Sequence, residues 1–465
     1  MNISLSILNS NNVPKYLKNM CMIYKSLNEK YSKSQNLFDI SAHFDIMDSK
    51  FVSQKGISMK YILVAKKLGY YIDVHLMVQK PIEDKYIDDA IKYGADNITI
   101  HYEIENFEKV LDYLSKKNIS VTIAIKPNTD YKLLLKYKGK FSKILIMSVE
   151  PGLGKQEYIA ATDEKIEKLK EIFPNCDIQI DGGINDITIC KPLELKVNNY
   201  VIGSYLTSDE DDYNALFDKL FRLNILKNIW SIDKNRNVEF DKKLLQITDG
   251  GYGYGDKLIG LNVPTIRKYA NSLYKDMSIN NLSFFITKNY HEYRQFVIFC
   301  MSYLVKKYLK ENQTDNLNKL YLFFKDNLQY INNWDLTDEA GPNILGYYLL
   351  QYDENTINKE LYFYLSSNNF WIKRIGIVSM LTFTQNNNIE LPLKVCKHML
   401  YCDNVMLQKA TGWVLREIYK KDNKYIVNFL RTNQLIKNIP SITLNYACEK
   451  MSAEEKKYIK FIEKR

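Results

Sequence analysis

The 465-residue sequence predicts two domains, a (β/α)8 TIM barrel followed by an all-α solenoid. In the first 207 residues, short β-branched apolar runs alternate with amphipathic helical segments, whereas after residue 213 only helical patterns recur. Residues 1–212 contain 28 Lys+Arg against 29 Asp+Glu, and residues 213–465 contain 36 against 25. We therefore expect a barrel over residues 1–210, a linker helix region over 211–244 and a basic helical domain over 245–465.

Composition excludes several protein classes. The chain is 46% hydrophobic and 25% charged, which is typical of globular domains. It has neither a run of about 18 apolar residues nor a signal-peptide start, so we expect a cytoplasmic protein with no membrane contact. Its seven cysteines are scattered and odd in number, with no CxxC pair, which argues against a disulfide framework or a cysteine zinc site.

Eight strands are predicted in the first domain. They cover residues 3–8, 39–47, 72–78, 97–101, 121–125, 144–149, 177–180 and 200–202. Helical segments at 86–93, 107–116 and 164–172 lie between them. Eight strands in about 205 residues indicate a closed barrel, and an open doubly wound sheet is the alternative from this pattern alone.

Polar residues near the predicted strand ends point to a metal site. Period 2 places His43, Asp45 and Met47 on one face of the second strand, while His75 ends the third strand and Asp181 ends the seventh. Active sites of such barrels lie at the carboxyl ends of the strands. Each residue alone is more often a core or turn residue. Two histidines and two aspartates that converge from three strands instead favour a divalent ion such as zinc, manganese or iron(II).

The motifs around these residues resemble the ribulose-phosphate 3-epimerase family over nearly all of residues 1–207. In order, they are residues 4–8 (SLSIL), 43–48 (HFDIMD), 73–78 (DVHLMV), 145–154 (LIMSVEPGLG), 180–183 (IDGG) and 201–204 (VIGS). The resemblance implies metal-assisted proton transfer at C3 of a ketopentose phosphate, which converts ribulose 5-phosphate to xylulose 5-phosphate.

The resemblance also implies a role for each matching residue. His43, Asp45, His75 and Asp181 would hold one divalent ion, and Asp45 and Asp181 would form the catalytic acid/base pair. The substrate-binding residues would be Ser6, His75, an apolar lid of Met47, Met77 and Met147, and a phosphate cradle of Gly152, Gly154, Gly182, Gly183, Gly203 and Ser204. A homo-oligomer through the barrel is compatible with the resemblance.

Three positions depart from the family pattern. Leu5 stands where proline is usual, residues 48–54 (DSKFVSQ) differ from the family's loop, and Lys155 stands where a glycine is expected. Because the last two departures lie in loops near the site, a hexulose phosphate such as allulose 6-phosphate is an alternative substrate.

The second domain is predicted to be entirely helical. Amphipathic segments cover residues 266–273, 294–309, 317–328, 344–350, 371–383, 391–400, 406–419 and 424–431. Their pairing at roughly forty-residue spacing favours a solenoid. The glycine-rich run at 250–255 is not a phosphate loop, because no GK[ST] follows it.

Tryptophan and charged residues recur at helical spacing in this domain. Trp334 and Asp338 lie at i, i+4, and Trp371 and Arg374 lie at i, i+3. Taken singly, core tryptophans and surface charges explain these pairs. Together with Trp413 they lie in motifs that resemble the DNA alkylation repair family of HEAT-like-repeat glycosylases. These motifs are residues 253–267 (GYGDKLIGLNVPTIR), 333–338 (NWDLTD), 369–374 (NFWIKR) and 408–417 (QKATGWVLRE).

This second resemblance implies a DNA glycosylase that removes N3- or N7-alkylated purines from duplex DNA without a cofactor. Trp334 and Trp413 would pack on the damaged nucleotide, Asp338 would stabilise the cationic sugar, and Arg374 would hold a phosphate. The alternative is an active epimerase fused to a nucleic-acid-binding solenoid without chemistry, and a basic surface that binds only solvent is the simplest explanation of the charge alone.

Overall fold

The computed structural model describes residues 2–31, 37–232, 234 and 237–460. The chain divides into two compact units, residues 1–232 and 233–465. Within the described ranges, no helix combines the length and apolar character needed to cross a membrane. The predicted combination of a (β/α)8 barrel and an all-helical domain is confirmed.

The first unit is a closed barrel of eight parallel strands in sequence order. The strands are β1 (Asn2–Ser6), β2 (Asp39–Met47), β3 (Tyr71–Met77), β4 (Asn97–His101), β5 (Ser120–Ile125), β6 (Lys143–Met147), β7 (Asp177–Asp181) and β8 (Asn199–Ile202). The helices are α1 (Val13–Tyr31), α2 (Ile62–Lys67), α3 (Tyr86–Tyr93), α4 (Phe107–Ser115), α5 (Thr162–Ile172), α6 (Cys190–Glu194), α7 (Ser204–Thr207) and α8 (Tyr213–Ser231). Because β1 pairs with β8, the sheet has no open edge, which excludes the doubly wound alternative.

Strand register brings the polar residues to one end of the barrel. Asp45 pairs with His75 across β2 and β3, and Met147 pairs with Asp181 across β6 and β7. His43 lies beside Ser6 of β1. Parallel strands all end at the same rim, so residues far apart in sequence meet there.

Helix α8 belongs to the first unit, whereas the sequence predicts that residues 211–244 form a linker helix region between the two domains. The helix packs against α1 and α6. Its buried residues lie on every face, among them Leu220, Phe221 and Leu226. A helix that is apolar all round must be buried by its neighbours, so α8 covers the barrel rather than bridging solvent.

The second unit contains α-helices throughout its described residues. They are α9 (Val238–Leu244), α10 (Val263–Leu273), α11 (Ile279–Ile286), α12 (His291–Lys310), α13 (Thr314–Asp326), α14 (Trp334–Ala340), α15 (Tyr347–Leu349), α16 (Glu354–Ser366), α17 (Phe370–Val378), α18 (Met380–Gln385), α19 (Glu390–Met399), α20 (Val405–Tyr419), α21 (Asn423–Ile436), α22 (Ser441–Ala447) and α23 (Ala453–Lys460). Helices α10, α12, α14, α17, α20 and α22 form a row in which each packs on the next. This row is the solenoid's repeated layer.

A π-helix, Gly341–Gly346, continues α14. Pro342 lacks the N–H that an α-helix would use, which disrupts the regular ladder. A Cβ on Gly341 would lie 2.3 Å from Val378 Cγ2. Glycine at this position therefore lets α14 lie close against α17.

Candidate functional sites in the two units

Four side chains converge at the carboxyl end of the barrel. They are His43 and Asp45 of β2, His75 of β3 and Asp181 of β7, and their nearest ligand atoms all lie within 4.8 Å of one another. His43 Nε2 lies 3.4 Å from Asp45 Oδ1 and 3.8 Å from Asp181 Oδ2. His75 Nδ1 lies 3.2 Å from Asp45 Oδ1 and 3.8 Å from Asp181 Oδ2.

The donor set fits a divalent ion. Two imidazole nitrogens and two carboxylate oxygens are ligands that zinc, manganese and iron(II) accept. His43 Nε2 is fully buried and has no hydrogen-bond partner. Its other nitrogen, Nδ1, lies 2.9 Å from Asp73 Oδ2, a carboxylate that orients the ring as metal-binding histidines require. The lone pair of this buried nitrogen lacks a partner and faces two carboxylates. A cation bound between them would supply the missing partner.

The two carboxylates of the cluster have opposite pKa shifts. Burial and the neighbouring Asp45 carboxylate raise the pKa of Asp181 to about 6. Burial also opposes ionisation of Asp45, but His43 and His75 outweigh it and hold the pKa of Asp45 well below its usual range. Such divergence between neighbouring carboxyl groups is typical of acid/base pairs.

A second layer of polar residues supports the cluster. Asp73 accepts hydrogen bonds from Asn97, Thr99 and Gln179. On the other side, His75 Nε2 lies 2.9 Å from His101 Nε2. The sequence analysis assigns no role to these residues. The available signal was polar residues at alternate positions of β3 and β4, strands otherwise filled with apolar side chains.

A cavity lies directly above the cluster. It is lined by Asp45, Asp181, Ser6, Met47, Met77, Met147, Gly152, Gly154, Gly182, Gly183, Gly203 and Ser204, together with Lys155. The structure thus brings together all the residues that the resemblance assigns to substrate except His75, which is fully buried beneath the cavity. Ser6 donates a 2.9 Å hydrogen bond to Asp45 Oδ2.

Glycine is required in the cavity wall. Gly182 has φ +120°, and a Cβ there would lie 2.4 Å from Val149 Cγ2. Lys155 has φ +62°, a left-handed conformation that favours glycine. The backbone therefore keeps the shape expected of a glycine at 155, while the side chain adds a cation to the wall.

Known proteins match this unit. Residues 22–207 match the model of the ribulose-phosphate 3 epimerase family. A cytoplasmic isoform of ribulose-phosphate 3-epimerase from Oryza sativa subsp. japonica is 31% identical over 168 residues, which cover 35% of this chain and 73% of the relative. The chain belongs to the ribulose-phosphate 3-epimerase family. The Schizosaccharomyces pombe ribulose-phosphate 3-epimerase is likewise 31% identical, over 169 residues, 35% of this chain and 72% of that protein.

Outside this epimerase-family barrel, the second unit carries its own site. Asp338 on α14 accepts two hydrogen bonds from Arg374 on α17, from Nε and Nη2, each at 2.9 Å. Arg374 Nη1 also donates to the Met406 carbonyl near the start of α20. The arginine is only 5% exposed, so it holds the carboxylate in a fixed orientation.

Trp334 and Asp338 line one cavity with apolar walls that include Phe299 and Ile298. Burial raises the pKa of Asp338, and Arg374 opposes that shift. Trp413 lies half-buried on α20, the next helix of the row after α17, and it is not part of the cavity lining.

A buried charged network lies beneath Trp334. His291 of α12 bridges Asp256, at 3.3 Å, and Asp335, at 2.8 Å. Arg294 also contacts Asp256, at 2.8 Å. Burial would lower the pKa of His291, but the two carboxylates outweigh it and raise the pKa to about 10. The sequence analysis assigns this network no role, because its members are spread over eighty residues.

Known proteins also match the second unit. Residues 243–451 match the family model described as DNA alkylation repair enzyme, which confirms the predicted resemblance. A solved structure described as a predicted DNA alkylation repair enzyme from Enterococcus faecalis is 16% identical, over 48% of this chain and all of that chain, with a TM-score of 0.37. Another, AlkD2 from Streptococcus mutans, is 15% identical over 46% of this chain and 98% of that chain, with a TM-score of 0.33.

Proposed function

We propose that the barrel is a metal-dependent epimerase that interconverts ribulose 5-phosphate and xylulose 5-phosphate. The observation that carries the proposal is the pair of Asp45 and Asp181, which line the cavity and cluster with two histidines buried beneath it. A homo-oligomer through the barrel and a cytoplasmic location remain part of the proposal.

Epimerisation at C3 needs two proton-transfer groups on opposite faces of the substrate. One aspartate takes the proton from C3, the electrons of the C3–H bond form a double bond to the carbonyl carbon, and the carbonyl π electrons move onto its oxygen; this shift reverses when C3 is reprotonated. The other aspartate delivers a proton to C3 from the opposite face, so the configuration inverts without net change in atoms. A zinc, manganese or iron(II) ion held by His43, Asp45, His75 and Asp181 would polarise the substrate oxygens and stabilise the developing negative charge.

The rest of the cavity suits a phosphorylated sugar. Met47, Met77 and Met147 provide an apolar wall over the reacting carbons. Backbone N–H groups near Gly183 and Ser204 would bind the phosphate, as loops after the seventh and eighth strands of such barrels do. Allulose 6-phosphate is the second candidate substrate, because Lys155 changes the wall of the cavity. Comparing the kcat/KM values for the two ketose phosphates distinguishes them.

We further propose that the helical unit is a DNA glycosylase that releases N3- or N7-alkylated purines. The observation that carries this proposal is Asp338, fixed by Arg374 beside Trp334 in a cavity with apolar walls. An alkylated purine carries a positive charge and is already a good leaving group. The protein then needs a carboxylate near the sugar, where positive charge grows as the glycosidic bond breaks, and aromatic faces that attract cations.

Arg374 has two candidate contributions to this chemistry. Its hydrogen bonds to Asp338 support a role in orienting the carboxylate and keeping it ionised. The phosphate contact implied by the resemblance stays a prediction. Release of 7-methylguanine or 3-methyladenine from alkylated duplex DNA tests the glycosylase proposal. DNA binding without base release would favour the non-catalytic solenoid.

A further inference from the structure

An acid–imidazole pair, the fully buried His101 and the partly exposed Glu103, lies behind His75, on the side away from the cavity. The carboxylate of Glu103 accepts hydrogen bonds through Oε1 from the Lys126 backbone N–H, at 2.8 Å, and from the Thr129 hydroxyl. Two donors on one oxygen hold Glu103 as an ionised acceptor. Its other oxygen, Oε2, lies 3.1 Å from His101 Nδ1. The carboxylate therefore places a proton on His101 Nδ1.

The second nitrogen of His101 meets His75. The two Nε2 atoms are 2.9 Å apart, and both rings are fully buried. Only one proton fits between two ring nitrogens at this distance. A neutral His101 that carries its proton on Nδ1 has a lone pair on Nε2, so His75 must donate from its own Nε2.

This arrangement fixes the remaining nitrogen of His75. With the proton on Nε2, Nδ1 has a free lone pair, and Nδ1 is the atom that lies 3.2 Å from Asp45 Oδ1 and 3.8 Å from Asp181 Oδ2. His43 also presents a ring nitrogen with a free lone pair to the cluster. Asp73 contacts its Nδ1 without an intervening histidine, and Nε2 faces the cluster.

We propose that Glu103 and His101 are positioning residues that fix the tautomer of His75 so that Nδ1 can bind the metal ion. The inference rests on the proposed metal-dependent function. Phe51 packs on His101 with ring centroids 4.8 Å apart, which helps to exclude water from the His101 ring. Neither His101 nor Glu103 lines the substrate cavity, so they act through His75.

Removing the pair should weaken metal binding and leave sugar binding intact. Outer partners of metal-binding histidines typically contribute about 10- to 100-fold to metal affinity. We expect Glu103→Ala and His101→Leu to lose zinc affinity by about that factor. His101→Gln keeps a hydrogen-bond acceptor near the former Nε2 and should retain most of the affinity. Glu105→Gln, an exposed acid two residues along the chain, is the matched control.

The test combines nitrogen NMR of the histidine rings with zinc titration against a competing chelator, on the full-length protein. In the zinc-loaded wild type we expect His101 protonated at Nδ1 and His75 at Nε2. In the Glu103 and His101→Leu variants, excess zinc should restore kcat with KM for ribulose 5-phosphate unchanged.

Three results would overturn the inference. One is a doubly protonated His101, or one protonated at Nε2, in the wild type. Another is wild-type zinc affinity in Glu103→Ala. The third, a wild type that binds none of zinc, manganese and iron(II), would also contradict the proposed function, whereas the first two would contradict only the tautomer assignment.

Discussion

At the scale of single residues, the barrel chemistry depends on two carboxylates. Asp45→Asn or Asp181→Asn keeps the side chain's shape but removes a group that can take or return a proton. We expect each change to lower kcat for epimerisation by at least about 10²-fold, the typical contribution of a positioned acid or base. Asp177→Asn, the same substitution at the opposite end of β7, should have wild-type activity. Equal losses in the Asp177 and Asp181 variants would assign the effect to folding of the strand.

Asp338 is the corresponding residue in the helical unit. A carboxylate that faces a developing sugar cation stabilises the transition state more than the ground state, so its removal should reduce rate rather than binding. Asp338→Asn should slow base release from methylated duplex DNA by roughly 10²-fold or more while DNA affinity stays unchanged. Asp326→Asn, on an exposed position of α13, is the control. Abasic-site formation by Asp338→Asn at the wild-type rate would contradict the proposed role.

The pKa of Asp338 gives base release a predicted pH dependence. Burial raises that pKa, and Arg374 opposes the rise, so the ionised form is lost on acidification at a higher pH than for an exposed aspartate. Arg374→Gln should raise the pKa further and move the acid limb of the pH–rate profile to higher pH. If Arg374 instead acts only on a phosphate, the variant will lose DNA affinity with an unchanged acid limb.

At the scale of structural elements, we expect the loop that contains Lys155 to contribute to phosphate binding. Lysine at φ +62° costs about 1 kcal/mol relative to glycine, and the exposed ammonium lines the proposed phosphate cavity. Lys155→Gly should relieve that strain and raise KM for the ketose phosphate several-fold, with kcat unchanged. Lys155→Ala should raise KM equally but, because it keeps the strain, it should not show the rise in melting temperature expected for Lys155→Gly. An unchanged KM in both variants would show that the ammonium does not contact substrate.

The network beneath Trp334 links α12 to α14 and should make the helical unit sensitive to alkali. The folded-state pKa of His291 is about 10, above its unfolded value near 6.5, because Asp335 and Asp256 face the ring and outweigh the effect of burial. Arg294 also faces Asp256, but it is not a cause of this rise. Its contribution to stability is therefore complete below about pH 6.5 and is lost as pH rises toward 10.

We expect the melting temperature of the helical unit to fall between pH 7 and 10, followed by tryptophan fluorescence in a Trp230→Phe background that leaves tryptophans only in that unit. His291→Gln should be less stable at pH 7 and should show a flatter profile. His398→Gln, at an exposed position, should behave as the wild type. A wild-type melting temperature that is constant across this range would contradict the assignment of a charged His291.

The elements also show which features were predictable. The eight strands and the four convergent ligands follow from period-2 patterns and from polar residues at strand ends. His101 and Glu103 were not predicted as functional, because a second layer of hydrogen bonds depends on strand register rather than on local sequence. The sequence alone could not assign α8 to the barrel, because the assignment depends on the helices against which α8 packs. The contact between Arg374 and Asp338 could not be predicted either, because it depends on the distance between α14 and α17. The π-helix and Gly341 set that distance.

At the scale of the whole molecule, the net charge differs between the two parts of the chain. Residues 213–465 carry 36 Lys+Arg against 25 Asp+Glu, whereas residues 1–212 are close to neutral. Affinity of the full-length protein for duplex DNA should fall steeply with salt, with a log–log slope of about −0.9 per neutralised phosphate. Epimerase turnover at saturating substrate should change little over the same range. If DNA binding is independent of salt, or if the protein does not bind DNA, the excess of basic residues does not contact DNA phosphates.

The most direct test of the account is hydrogen exchange at C3 of ribulose 5-phosphate in heavy water, followed by NMR. The full-length protein is first stripped of metal and then reconstituted with zinc, manganese or iron(II). We predict deuterium incorporation at C3 together with formation of xylulose 5-phosphate, loss of both after chelation, and recovery when metal is restored. Absence of C3 exchange with every ketose phosphate tested, in protein that has bound metal, would contradict the proposed epimerase function.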